Sequence, residues 1–196
     1  YDLSVLRRGV AEVFQQTMNP ALSPQAVGFF ESALGQRFVE AELVARRAFV
    51  DPKVEDAARL AVDDLPQDRK DALTTFIAVN ELVDYNVVGG MTAQVRFYQG
   101  MAQGGLLKMT DQEILSDAWA AEEELRRDTQ KWLMAYLMLS FEEMSNQDIA
   151  AYTAFSRTAP GRAVNQAIFQ AYDRMYSDLS LALGLAIADM ALAEEL

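Results

Sequence analysis

Cysteine and histidine are both missing from this 196-residue chain. Their absence removes disulfides, thiolate nucleophiles, imidazole bases and the usual zinc, copper and haem ligands. Carboxylates, hydroxyls and amines are the groups that remain for chemistry. We therefore predict no metal, no cofactor and no catalytic residue, although cysteine usage alone does not fix the cellular compartment.

Basic residues are also fewer than acidic ones. The chain has 17 basic and 29 acidic residues and a net charge of -12, so a nucleic-acid backbone would be repelled on average. The most apolar stretch, residues 179–193, is about 15 residues long and contains Asp189, so it is too short and too interrupted to span a bilayer. We predict no nucleic-acid partner and no transmembrane segment.

The residues that are present favour helices. Hydrophobic residues make up 51% of the chain, enough to form a core, and the strong helix formers Ala, Leu, Glu, Gln, Met and Arg dominate. Apolar residues recur at spacings of three and four. The sequence predicts an all-α fold, a single helical domain over residues 1–196 with about seven to nine helices in a bundle. Two helices are expected to be long, over residues 110–141 and from residue 162 to the C-terminus.

Glycine pairs and helix-cap signals suggest how the chain is organised. Glycine pairs at positions 89–90 and 104–105 flank a short segment and permit unusual backbone angles there. We expect residues 89–109 to act as a hinge between two halves, residues 1–88 and 110–196. Helix starts are marked by cap signals at Ser23-Pro24, Asp51-Pro52, Thr110-Asp-Gln-Glu113 and Ser145 to Asp148.

Two segments of the sequence, residues 22–37 and 145–162, share a pattern. Each has a serine-capped helix, a buried aromatic residue, and a Ser/Thr-x-x-Gly-polar turn that leads into another helix. The pattern predicts an internal pseudo-repeat, although capped helices share enough vocabulary for a chance match. In the first segment the positions of the pattern are occupied by Phe29, Phe30, Ser32, Gly35 and Gln36.

The first segment resembles the bacterial family known as domain of unknown function 2059. Its pattern is an aromatic pair, Ser-Pro-x-Gly, and a basic or amide residue between two helices; here Ala33 replaces the proline, and Pro160 sits one place late in the second segment. The resemblance implies an exported, periplasmic, all-helical protein of unsettled role. A chain that begins at Tyr1 rather than Met fits that expectation.

Several acidic clusters invite a functional interpretation. In the cluster Glu122, Glu123 and Glu124, the first two residues are followed four positions later by Arg126 and Arg127. This glutamate-first order stabilises a solvated helix face, so a metal or acid-base role is disfavoured. Asp63-Asp64 and Glu142-Glu143 contain the carboxylates that a glycoside hydrolase needs, but acidic doublets near helix ends mostly serve solubility. A hydrolase acting on cell-wall glycan therefore stays as the alternative function.

Arg96, Phe97 and Tyr98, between the glycine pairs, are the candidate binding residues, because arginine and aromatic residues concentrate at contact hot spots. A short core helix explains the same spacing. Residues 179–192 are apolar on nearly every side, which predicts either a buried central helix or a homodimer seam. The leading hypothesis is a non-enzymatic periplasmic protein that binds a partner protein or a small amphipathic ligand.

Overall fold

The computed structural model describes residues 2–194. Within them the protein has ten α-helices and no β-strand, so the all-α prediction is confirmed, with one helix more than the predicted range. A short 3-10 helix, Val62–Asp64, follows the fourth α-helix. In chain order the α-helices are α1 (Leu3–Thr17), α2 (Ser23–Glu31), α3 (Ala33–Ala48), α4 (Pro52–Ala61), α5 (Gln67–Val79), α6 (Leu82–Gln103), α7 (Asp111–Ala120), α8 (Glu122–Ser140), α9 (Asn146–Ser156) and α10 (Ala159–Glu194).

Most of the predicted caps are formed. The Asp51 carboxylate accepts a hydrogen bond from the first turn of α4, and Thr110 and Ser145 each form a reciprocal capping box at the start of α7 and α9. Ser23 is different, because it is already the first residue of α2 and its hydroxyl donates to the Asn19 carbonyl oxygen. Local sequence therefore placed most helix starts to within a residue or two.

Three predicted boundaries are wrong. The helix expected over residues 110–141 is divided at Ala121, where α8 begins with three glutamates that suit the positive end of a new helix dipole. Gly89-Gly90 lies inside α6, so the expected hinge is helical from residue 89 to residue 103. α10 begins at Ala159 rather than residue 162, because Pro160 is compatible with the first turn of a helix.

The packing of the chain defines two compact units, which we call the aromatic unit and the glycine unit. Each contains segments from both of the predicted halves, so the division into halves at the 89–109 segment stays a prediction. Within the described chain the aromatic unit consists of residues 18–83 and 127–166, and the glycine unit of residues 2–17, 84–126 and 167–194.

The aromatic unit is built around edge-to-face phenylalanines. Phe38 from α3 and Phe76 from α5 both contact the ring of Phe141, at centroid distances of 4.8 and 5.3 Å. The guanidinium of Arg69 donates to the carbonyl oxygens of Phe141 and Met144, and so satisfies backbone groups where α8 ends. These contacts hold α3, α5, α8 and α9 around one core.

The turn between α2 and α3 has the serine cap that its sequence pattern predicts, together with a second hydrogen bond. The Ser32 hydroxyl donates to the Phe29 carbonyl oxygen at 2.6 Å and accepts from the Gly35 amide at 3.1 Å. A Cβ atom at Gly35 would clash with the backbone of Phe29 and Phe30. Glycine is therefore required here by the close approach of two helix ends.

The start of α10 repeats this geometry. Thr158 donates to the Phe155 carbonyl oxygen at 2.6 Å and accepts from the Gly161 amide at 3.2 Å, and a Cβ atom at Gly161 would clash with Phe155 in the same way. The rings of Phe29 and Phe155 stack on each other at 3.9 Å, with planes 1° apart. The two turns are alike in geometry, and the pseudo-repeat of whole segments stays a prediction.

The glycine unit depends on a close parallel pair formed by α6 and α10. Tyr85 stacks on Phe169 at 4.4 Å, and further along both helices Gly100 meets Gly184 so closely that neither has room for a side chain. Because the contacts advance in the same direction on both helices, the pair is parallel. Small residues here replace the interlocking large side chains that ordinary helix packing uses.

The outer side of α10 is not buried. Leu183 and Met190 are 48% and 66% exposed, so this helix is not the buried central helix that was one of the two predictions for residues 179–192. By length and composition alone, α10 meets the requirements for a membrane span, a criterion that core helices of soluble proteins also meet. The absence of a transmembrane segment stays a prediction.

Candidate interaction site around Arg46

Arg46, in the last turn of α3, lies against two aromatic rings of α8. Its guanidinium carbon is 4.6 Å from the ring centre of Tyr136 and 5.4 Å from that of Trp132. Those two residues are one helical turn apart, and their rings stack at 5.0 Å with planes 7° apart. A guanidinium within about 6 Å of an aromatic face is in the range of a cation–π contact.

Neighbouring groups fix the two rings in place. Phe49 packs edge-on against both Trp132 and Tyr136, at 5.8 and 5.4 Å. The Tyr136 hydroxyl donates to the carbonyl oxygen of Glu42 at 3.0 Å, which ties α8 to α3. The aromatic surface under Arg46 is therefore held rigid by packing and by a hydrogen bond, a condition for a preorganised binding surface.

Glu42 is the most perturbed carboxyl group of this site. Burial raises the pKa of Glu42 to about 7, against the opposing effect of the positive charge of Arg46. Burial, together with the charge of Glu42, also raises the pKa of Tyr152 from α9, and burial raises the pKa of Tyr136. Strongly perturbed groups concentrate at functional sites, which makes this the candidate site of the aromatic unit.

Exposed apolar side chains extend the site along α3. Leu43 is 54% exposed and Val50 is 80% exposed, and they lie on either side of Arg46 and Arg47 in sequence. Leu43 and Arg46 are three positions apart on α3 and share one face of that helix, and Val50 follows in the turn after the helix ends at Ala48. We call the surface made by Leu43, Arg46, Arg47, Val50 and Trp132 the Arg46 patch.

The sequence-predicted binding residues lie elsewhere. Arg96, Phe97 and Tyr98 are half-buried in α6, in the glycine unit. Arg96 donates to the Gln99 side chain at 3.1 Å, and the backbone of Phe97 lies against Gly184 of α10. Phe97 therefore contributes to the α6–α10 contact, and the role of the three residues in binding stays a prediction.

The predicted carboxylate clusters are distributed over helix ends. Glu122 forms the expected ion pair with Arg126 at 2.7 Å, and Arg126 also pairs with Asp84. These contacts belong to a solvated helix face, as the glutamate-first spacing predicts. The four acids named for a hydrolase, Asp63, Asp64, Glu142 and Glu143, are all exposed. Among the described residues no group of three or more acidic side chains is placed to hold a metal ion.

A shallow groove of about 310 Å³ lies between α5 and α9. Its lining contains two other carboxylates, Asp68 and Asp71, with Arg157 also in the wall. Asp68 accepts from the Asn146 amide at 2.8 Å and Asp71 from the Gln67 amide at 2.8 Å, so both carboxylates already have partners. The groove therefore gives no specific support to carboxylate chemistry.

The sequence contained only a weak signal for the Arg46 patch. Trp132 and Tyr136 are four positions apart on one helix, and Arg46 and Arg47 lie in the last turn of α3. Such spacings are common in helical proteins. The raised pKa of Glu42 depends on burial in the folded chain, where Tyr136 of α8 and Tyr152 of α9 interact with Glu42 although both lie far away in sequence. No pattern of neighbouring residues in the sequence indicates such burial.

Comparison with known proteins finds a family match over part of the chain. Residues 4–64 match the family described as "Uncharacterized protein conserved in bacteria (DUF2059)". The matched segment contains the Ser32 turn and the α3 side of the Arg46 patch, whereas Trp132 and the Thr158 turn lie outside it. No curated protein and no solved structure gives a significant match.

Proposed function

We propose, from the match of residues 4–64 to the bacterial family DUF2059, that this chain is a non-enzymatic periplasmic protein that binds an acidic, apolar segment of a partner protein on the Arg46 patch. The periplasmic location follows from the export that the family resemblance implies. The proposal of no catalysis follows from a chain with neither histidine nor cysteine.

The observation that carries the proposal is Arg46 on the stacked rings of Trp132 and Tyr136. Arginine and tryptophan are enriched among the residues that dominate binding energy, and they act best on a rigid surface. The exposed side chains of Leu43 and Val50 add apolar area beside this anchor. Such a combination is typical of the centre of a protein interface.

Charge indicates which partner would fit. Arg46 and Arg47 are both exposed in the last turn of α3, although the chain as a whole carries a net charge of -12. A local positive charge in an acidic protein attracts acidic partners at short range, while the net charge opposes them at long range. We therefore assign the partner segment acidic side chains next to apolar ones.

The shape of the site favours a protein over a small amphipathic ligand. Small-ligand sites are usually concave and bury most of the ligand. The Arg46 patch is an open surface where the end of α3 meets α8, and the groove of about 310 Å³ in the same unit lies between α5 and α9 instead. An extended or helical segment of another protein matches an exposed face of this kind.

Trp132 provides a direct test. The chain has two tryptophans, so a Trp119→Phe background leaves Trp132 as the single reporter. We would titrate an amphipathic helical peptide with an acidic polar face, and a second peptide in which every acidic residue is replaced by lysine. The acidic peptide is expected to shift Trp132 emission saturably, with binding that weakens as salt rises.

Two variants provide the controls. Arg46→Glu is expected to abolish the response, whereas Leu60→Ala, at an exposed position outside the patch, should leave it unchanged. Equal binding of both peptides, or full binding to Arg46→Glu, would show that the proposed chemistry is wrong. Binding of a nonionic detergent below its micellar concentration with the same saturable shift, and no response to the acidic peptide, would replace the protein partner by an amphipathic ligand.

The location has its own test, which does not depend on the patch. The full-length gene product is expected to carry an N-terminal signal peptide and to be released with the periplasmic fraction after osmotic shock. A product that stays with the cytosolic fraction would remove the compartment from the proposal while leaving the binding chemistry open to the peptide test.

A further inference from the structure

The outward face of α10 carries a regular row of exposed side chains. We call it the α10 stripe and define it as Tyr172, Tyr176, Leu183, Ala186 and Met190, all of which are exposed. When Leu179 is counted with them, the successive positions 172, 176, 179, 183, 186 and 190 are four, three, four, three and four residues apart. This average of 3.5 residues is the spacing of a coiled-coil seam, along which two helices wind around each other.

The stripe lies opposite the side of α10 that packs within the unit. Gly184 and Ala188 face α6, where Gly100 and Gly104 approach them closely. Those positions and the stripe positions fall on different sides of the helix, because three or four residues make one turn. The stripe therefore remains available after α10 has made its contact with α6.

We propose that two copies of this protein pair through their α10 stripes, in antiparallel orientation. The proposal is independent of the Arg46 patch, because every residue of the stripe belongs to the glycine unit. A second copy offers a helix of the required length and spacing, since α10 extends over 36 residues. It also offers the same face, as a two-fold symmetric contact requires.

The side chains of the stripe complement each other in size in the antiparallel arrangement. When the two helices cross near position 181, Tyr176 lies opposite Ala186 of the partner subunit, and Tyr172 lies opposite Met190 of the partner subunit. A large residue against a small one fills each layer without a void, and a sulfur next to an aromatic ring is favourable. A parallel pair would instead set tyrosine against tyrosine in the same layers.

Charge also fits this orientation despite the net charge of -12. Asp173 and Asp189 are the acidic residues next to the stripe in sequence; Asp189 is exposed, whereas the Asp173 side chain lies against Gly89 of α6. Positions 173 and 189 lie on opposite edges of the stripe, and an antiparallel pair brings the same edge of each copy together. Asp189 therefore lies opposite Met175 of the partner subunit and Asp173 opposite Ile187 of the partner subunit, so no two acids face each other. Few charged residues beside the seam is the composition typical of the core of a protein interface.

The available area sets the expected strength. A half-exposed tyrosine offers about 100 Å², and the whole stripe offers roughly 500 to 600 Å² per copy, below the roughly 800 Å² of a standard stable contact. The dimer should therefore be reversible, with a Kd on the order of 10 µM, in the range of transient contacts.

Sedimentation velocity over a wide protein concentration range tests the association. The full chain is expected to change from monomer to dimer at micromolar concentration, and Leu183→Asp should raise the dimer Kd by about 30-fold or more while circular dichroism stays unchanged. Leu60→Asp makes the same substitution at an exposed leucine of the aromatic unit and should leave the Kd unchanged. A chain that stays monomeric at several hundred micromolar would overturn the proposal.

Engineered cysteines test the orientation, since the natural chain has none to interfere. Ala182→Cys lies near the crossing point and should form an intermolecular disulfide on oxidation. Met190→Cys should not, because the two copies of position 190 would be about 27 Å apart along the antiparallel helices. Efficient cross-linking through position 190 alone would show a parallel pair. Flotation of the monomer with phosphatidylcholine vesicles, lost in Leu183→Asp, would assign the stripe to a lipid surface and also overturn the dimer.

Discussion

The raised pKa of the half-buried Glu42 carboxyl group allows a quantitative prediction about the stability of the aromatic unit. Its pKa is raised from 4.5 to about 7, because burial disfavours the charged form more than Arg46 favours it. Replacement of this residue by glutamine keeps the shape of the side chain and removes the charge. The Glu42→Gln variant should therefore be more stable than the natural protein wherever Glu42 is ionised.

The sign follows from proton binding. Between pH 4.5 and pH 7 the folded protein holds the Glu42 proton and the unfolded chain does not, so the free energy of unfolding falls as pH rises through this window. The favourable contribution is complete below pH 4.5 and is lost as the pH passes the folded-state pKa of about 7. The full shift corresponds to an upper limit of about 3.4 kcal/mol, and partial exposure reduces the expected effect to about 1 to 2 kcal/mol.

Urea unfolding followed by Trp132 fluorescence in the Trp119→Phe background gives the required free energies. Glu42→Gln should gain about 1 to 2 kcal/mol at pH 8 and close to nothing at pH 4.5, so the difference itself depends on pH. Glu40→Gln changes an exposed glutamate of the same helix and should give a small difference that is flat with pH. A loss of stability at pH 8, or a gain that is equal at both pH values, would refute the reasoning.

Three further predictions concern glycines and a helix cap, each measured by thermal or urea unfolding. Gly35→Ala should cost about 2 kcal/mol because the added Cβ meets the backbone of Phe29, whereas Gly28→Ala, where the Cβ would meet nothing, should be neutral or gain up to about 1 kcal/mol. Gly184→Ala should likewise cost about 2 kcal/mol by forcing α6 and α10 apart, and a variant as stable as the parent would contradict that contact. Thr110→Ala should cost about 1 kcal/mol through the lost capping box, and no loss would mean that the cap is replaced by water.

Features that depend on neighbouring residues in sequence were predictable. Thr110 with Glu113, and Ser145 with Asp148, form the expected capping boxes, because both partners of each hydrogen bond lie within one helical turn. The Ser32 turn was predictable for the same reason. A pattern of a few residues contains all the atoms that decide such structures.

Features that depend on distant residues were not predictable. Gly89 suggested a hinge, but in the structure it lies inside α6 and faces the side chain of Asp173 on α10, so its lack of a side chain serves packing between helices. The Arg46 patch needs α3 and α8 together, and the raised pKa of Glu42 needs the burial that folding produces. These sites are produced by tertiary contacts that a single sequence does not report.

The two glycine turns also explain why the family segment depends on the rest of the chain. Phe29, from the segment that matches the family, stacks on Phe155, and Phe38 from the same segment packs at 4.7 Å against Tyr152. Both partners belong to α9, immediately before the second turn. The aromatic face of the matched segment is therefore covered by a segment with the same turn geometry, so one turn completes the core of the other. A helix pair that cannot bury its own apolar face needs such a neighbour, as single units of repeat proteins do.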